Sequence, residues 1–166
     1  MANCCNCEKK LGFGAPSRKI IGRKLCTSCC DALGINNYLT TDESAYPDKH
    51  FSSADALIQA LKERKPMQEQ MAAAFKPTRK FTSLDNSNLS IEIDEQSQLI
   101  CTTSQHSITN QYSRKYYHFS DYLGSEKSNI YYLLSFNFYG KKNSVIISAH
   151  RIESDEALSF INGIKK

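Results

Sequence analysis

The spacing of apolar and polar residues changes period along this chain, and the clearest runs lie in its second half. Leu89, Ile91 and Ile93 alternate with Ser90, Glu92 and Asp94, the period of two that marks a half-buried strand. Asp94-Glu95-Gln96-Ser97 supplies turn residues before a second strand, from Gln98 to Thr103. Tyr116-Tyr117-His118-Phe119 predicts a third strand. From Ile130 to Tyr139, Ile130, Tyr132, Leu134, Phe136 and Phe138 share one face. Gly140-Lys141-Lys142-Asn143 then turns the chain into Val145, Ile147 and Ala149. After that the period becomes helical. Ala157, Leu158, Ile161 and Ile164 form one stripe from a start near Ser154. Asp155 and Glu156 lie at its positive end and Lys165-Lys166 at its negative end. Consecutive antiparallel strands ending in one amphipathic helix predict a bent sheet or partly open barrel plugged by that helix over residues 81–166.

Residues 36–80 read as a connector. Asn36 to His50 has no period and is predicted as loop. Ser52 or Ser53 can cap a following helix, with Asp55 in its first turn, and Ala54, Leu57, Ile58 and Leu61 make an apolar face. Pro66 is expected to end or bend this helix. A second short helix, from about Met67 to Phe75, would place Met67, Met71, Ala74 and Phe75 on one side, packed against the next domain.

Residues 1–35 have no such period, and there the cysteines carry the information. Cys4-Cys5-Asn6-Cys7 and Cys26-Thr27-Ser28-Cys29 are two Cys-x-x-Cys units with eighteen residues between Cys7 and Cys26. A two-residue spacing lets one turn present both sulfurs to one metal, and two such turns complete a four-thiolate site of the zinc type. Cys4, Cys7, Cys26 and Cys29 are therefore the expected ligands of one structural Zn²⁺. Cys5 with Cys7 is too tightly spaced, whereas Cys30 could replace Cys29. Lys19-Ile20-Ile21 and Lys24-Leu25 predict a hairpin, and Cys30-Asp31-Ala32-Leu33 a brief helix stopped by Gly34. Turn, hairpin, then helix at the second ligand pair is the treble-clef order; a zinc ribbon is the alternative. The fold class is thus α+β: a small zinc module (1–35), a helical connector (36–80) and an antiparallel β domain with a terminal helix (81–166).

The cysteines also bear on compartment. There are seven, an odd number, and six fall in the first thirty residues, which fits a reducing cytoplasm better than a disulfide framework. No charged start followed by an apolar stretch opens the chain, and no run approaches eighteen apolar residues, so neither a signal peptide nor a membrane span is expected. The formal charge of +4 overstates the basic character. Residues 1–36 hold six basic against two acidic side chains, and one Zn²⁺ on four thiolates brings that module to about +2. Residues 81–166 hold eight basic against nine acidic side chains, which disfavours a nucleic-acid platform or an anionic membrane surface there.

The run Cys4-Cys5-Asn6-Cys7-Glu8-Lys9-Lys10-Leu11-Gly12, with Cys26-Thr27-Ser28-Cys29 beyond it, resembles a family of bacterial and phage proteins that begin with a four-cysteine zinc domain. Phe75-Lys76-Pro77-Thr78-Arg79-Lys80 is similar to the bridge those proteins use before a second domain of pleckstrin-homology-like type, the shape residues 81–166 suggest. The doubled cysteines at 4–5 and 29–30 depart from that pattern. The resemblance implies binding or scaffolding.

No constellation for catalysis stands out. Cys101 is the one cysteine outside the module, and although His106, His118 and His150 follow it, its place in a predicted strand fits a buried thiol. The expected function is non-enzymatic recognition of a protein partner through residues 81–166, with Tyr131 and Tyr139 as candidate exposed rings. The alternative is a nucleic-acid-binding regulator using Lys9, Lys10, Arg18, Lys19, Arg23 and Lys24.

Overall fold

A computed structural model of the chain describes residues 2–35, 47–83, 89–105, 112–127, 131–138, 141–148 and 152–164. It is mixed α+β, with three helices and small open antiparallel sheets among the described residues. The chain divides into two compact units, 1–67 and 68–166.

In the first unit, β1 (Ala2–Asn3) pairs with β2 (Lys10–Leu11), and β3 (Ser17–Ile20) pairs with β4 (Arg23–Cys26). The β3–β4 turn is Ile21-Gly22, with both residues at positive φ (40° and 76°), as a two-residue hairpin of matching twist requires. Helix α1 (Thr27–Leu33) follows β4 directly. Gly34 ends it in the left-handed conformation at φ 59°, its N–H bonded to the Asp31 carbonyl at 3.0 Å. Helix α2 (Ala54–Ala74) begins with Ser53 Oγ accepting the Ala56 N–H at 3.1 Å. Its predicted apolar face, Ala54, Leu57, Ile58 and Leu61, is buried in one cluster with Leu11, Ile20, Leu25 and Leu33.

Pro66 does not divide α2 into two helices; it lies inside a single helix of 21 residues. A mid-helix proline costs about 3 kcal/mol through its missing N–H and the clash with the preceding turn. Burial along both halves of the helix, at Leu57 and Leu61 before the proline and at Gln68 and Met71 after it, offsets that cost.

In the second unit, β5 (Arg79–Thr82), β6 (Ser90–Asp94), β7 (Leu99–Gln105) and β8 (Tyr112–His118) form a four-stranded sheet in sequence order. After a short 3₁₀ turn come β9 (Tyr122–Lys127), β10 (Tyr131–Phe138) and β11 (Lys141–Ser148), a three-stranded sheet with β10 central. Helix α3 (Ile152–Ile164) closes the chain. No closed barrel is present among the described residues; both sheets are open. Tyr117 stacks on Phe136 at 4.0 Å between ring centroids, Phe160 of α3 packs on Phe81, and Tyr122 Oη donates to Asn162 at 2.7 Å.

The alternation in β6 predicts a solvated polar face, but all five of its residues are buried. The C-terminal part of α2 and the segment after it supply partners to that side. The Gln68 side chain bonds both backbone groups of Tyr116, Phe75 meets the Tyr116 ring edge-on, and the Lys76 N–H donates to Asp94.

Candidate metal centre

The sulfurs of Cys4, Cys7, Cys26 and Cys29 all lie within 4.8 Å of one another and could hold one metal ion. Local structure explains how they meet. The first turn is closed by the Glu8 N–H on the Cys4 carbonyl (2.9 Å) and by the Cys4 N–H on the Lys9 carbonyl (2.9 Å), with Glu8 in the left-handed region at φ 61°. The second pair straddles the junction of β4 and α1, so a strand end presents Cys26 and the first helical turn presents Cys29. A bridge between Cys4 and Lys24, with the Cys5 N–H on the Lys24 carbonyl at 2.8 Å, sets the first turn beside β4.

Donors are already aimed at these sulfurs. The Cys26 N–H points to Cys4 Sγ at 3.4 Å and Asn6 Nδ2 to Cys29 Sγ at 3.3 Å, while Cys7 Sγ and Cys26 Sγ stand 3.8 Å apart. Burial pushes the Cys4 thiol up, but backbone N–H groups of Cys26, Asn6 and Cys7 outweigh it and lower its pKa to about 6. Cys29 goes the other way, to about 12: the Asn6 amide favours its thiolate, yet desolvation and the three neighbouring sulfurs together prevail. Groups this close titrate as a coupled set. Cys4, Cys26 and Cys29 are buried and Cys7 is exposed.

Cys5 and Cys30 lie outside the cluster, half-buried against the surrounding core, and burial raises both thiols above the ordinary value. Of the six basic residues of the module, Arg23 donates from one terminal nitrogen to both carboxylate oxygens of Asp55, each at 2.8 Å. Arg18 is half-buried, whereas Lys9, Lys10, Lys19 and Lys24 are exposed on β2, β3, β4 and the first turn. Asn6 escaped the sequence reading, although a polar amide inside a Cys-x-x-Cys turn is well placed to donate to a thiolate.

A second polar group lies on the four-stranded sheet. Glu92, Cys101 and Tyr116 face one another across β6, β7 and β8. Arg114 donates from Nε to Cys101 Sγ at 3.3 Å and from a terminal nitrogen to Glu92, which also pairs with Lys80 at 3.5 Å. Cys101 is fully buried, and burial pushes its thiol up despite the guanidinium beside it. His118 is exposed at the end of β8, opposite Leu99; His106, His150 and Tyr139 lie outside the described residues, as does the Tyr131 side chain.

No protein family, curated protein or solved structure matches this chain. No described helix is long and apolar enough to cross a membrane.

Proposed function

We propose that the chain is a non-enzymatic binding protein whose first unit folds around one structural Zn²⁺ and whose C-terminal domain, residues 81–166, recognises a protein partner. The observation that carries this reading is the donor set: four mutually close thiols, with no other ligand type in the cluster among the described residues. A tetrahedral zinc with zinc–sulfur bonds of about 2.3 Å has sulfur–sulfur edges of about 3.8 Å. The Cys7–Cys26 separation is 3.8 Å. Cys4, Cys7, Cys26 and Cys29 would hold the ion, which would supply cross-linking and charge neutralisation; with every position taken by sulfur, none is left for a substrate.

The order of first cysteine turn, β3–β4 hairpin and α1 carrying the second pair supports a treble clef over a ribbon, because a helix and not a strand follows Cys26. Four antiparallel strands, three more, and a C-terminal helix packed on β5 and β9 support a pleckstrin-homology-like reading of residues 81–166. That resemblance, and the bacterial or phage setting it implies, makes protein recognition in the cytoplasm the function that fits. The buried Cys101 bonded to Arg114, facing Tyr116 across the strands, fits structural packing better than a nucleophile.

The test is affinity capture from native lysate with the full chain, with metal content measured on the same sample. One zinc per chain and a stoichiometric protein partner, retained at high salt and after nuclease treatment, support the reading. Absence of metal, or capture that nuclease abolishes, overturns it.

A further inference from the structure

We propose that the cysteine module binds single-stranded nucleic acid, one base stacking on Phe13 while Lys10, Lys19 and Lys24 take neighbouring phosphates. This site is separate from the partner surface proposed for residues 81–166 and does not depend on it. Phe13 is 111% exposed, so its ring leans on nothing in the protein. It occupies the second position of a four-residue turn closed by the Ala15 N–H on the Gly12 carbonyl at 3.2 Å, with Gly14 at φ 75° as such a turn requires. A Cβ added at Gly12 or Gly14 would meet nothing within 4 Å, so the tip projects clear of the chain and both ring faces are open. A phenylalanine held fully in water contributes nothing to folding.

The charge of the module is equally unspent. None of Lys9, Lys10, Lys19 and Lys24 forms an ion pair with a described residue. Lys19 and Lys24 stand directly opposite each other on β3 and β4, an arrangement that repels unless an anion lies between them. Lys10 is three residues from Phe13, within about 11 Å along the chain.

The pattern selects among anionic partners. Phe13 is the one large exposed hydrophobic among the described residues of this unit. A protein interface needs a contiguous core of such residues, and a single small apolar insertion anchors to a bilayer only marginally. One free ring on a module that carries unpaired cations matches the sequence-tolerant way single strands are held, by base stacking and phosphate contact. In a duplex the bases are already stacked on one another, so a lone ring gains little there.

The experiment uses the full chain with zinc bound and a fluorescent oligothymidylate or oligouridylate of about 12 nucleotides, within single-strand site sizes. Anisotropy is read from about 50 to 200 mM salt, beside a duplex of equal length and anionic phosphatidylserine vesicles. Binding of the single strand should weaken roughly 5- to 150-fold with Phe13→Ala, with the salt slope unchanged. Lys19→Ala and Lys24→Ala should each reduce that slope by about 0.7. Because the ring packs on nothing, Phe13→Ala should keep its metal content and circular dichroism. No binding at low salt, binding indifferent to Phe13→Ala, equal preference for duplex, or Phe13-dependent binding of vesicles alone would each overturn the proposal.

Discussion

Asp94→Ala removes a carboxylate that ties two stretches of backbone to the end of β6. Its Oδ2 accepts the Lys76 N–H at 2.8 Å and its Oδ1 the Ser97 N–H at 3.0 Å, and the side chain is 1% exposed. A hydrogen bond to a charged group is worth about 1.5–3 kcal/mol, and a donor stranded from water costs about 1–3 kcal/mol. Both N–H groups are partly buried and recover some hydration, so the expected loss is about 2–4 kcal/mol at neutral pH. Asp94→Asn keeps one acceptor and should cost about half as much. Acid distinguishes this account from simple packing. Burial pushes the Asp94 carboxyl up, but the N–H groups of Ser97, Lys76 and Gln96 outweigh it and hold it below its ordinary 3.8. A carboxyl depressed in the folded state contributes stability that is fully present above its unfolded pKa and is lost as pH falls through the folded one. The stability gap between the native chain and Asp94→Asn should therefore hold constant from neutral pH to about pH 5 and narrow below about pH 4. Chemical denaturation followed by near-ultraviolet circular dichroism reads the second unit, since seven of the nine tyrosines lie beyond residue 68. A gap that stays unchanged down to about pH 3, or an alanine variant costing under about 0.5 kcal/mol, would refute the reasoning.

Cys7→Ser should abolish metal binding and unfold the first unit while the second keeps its tyrosine signal; Cys5→Ser should leave one metal per chain by elemental analysis. Gln68→Ala strips two bonds from the Tyr116 backbone, Nε2 to its carbonyl at 2.6 Å and its N–H to Oε1 at 2.8 Å. That should cost about 2–4 kcal/mol in denaturation, with Gln68→Glu at least as damaging because a carboxylate oxygen would then face the carbonyl. Arg23→Ala breaks a pair whose side chains are 50% and 70% exposed, so the loss should stay below about 1 kcal/mol and vanish at high salt.

The clustering of Cys4, Cys7, Cys26 and Cys29 was legible because Cys-x-x-Cys geometry is local: two residues fix how far apart two sulfurs can be, whatever the rest of the chain does. The αL stop at Gly34 and the Ser53 cap were readable for the same reason. Strands β5 and β9 were missed, since Arg79–Thr82 and Tyr122–Lys127 lack a clean period of two, although each pairs with the strand that follows it in the chain. Pro66 misled for the opposite reason: its local preference is strong, yet burial on both sides of it prevails. The polar face of β6 looked solvated because Ser90, Glu92 and Asp94 are polar, and nothing in their spacing reveals that Arg114, Lys80, Lys76 and Ser97 come to meet them. Phe13 carried no signal in the sequence. Exposure is a property of the folded chain, and that ring became informative only once its surroundings were found empty.

The two parts of the first unit depend on each other through size. Chains below about 40 residues seldom bury enough apolar surface to fold without a metal or disulfides. The cysteine turns, the hairpin and α1 together fall under that limit. Their core gains Leu57, Ile58 and Leu61 from α2, and three of the four cysteines belong to the same buried cluster. A metal held in that cluster would fix β1, β4 and α1 against one another, and β4 and α1 contribute Leu25 and Leu33 to the core that buries the α2 face. Without a cation, desolvation and the neighbouring sulfurs oppose ionisation of Cys29, and sulfurs held only by a contact at 3.8 Å would constrain the chain far less than metal bonds. Metal binding and burial of the α2 face would then be a single cooperative event, with the affinity of the site set by leucines that never touch the ion as well as by the sulfurs that would hold it.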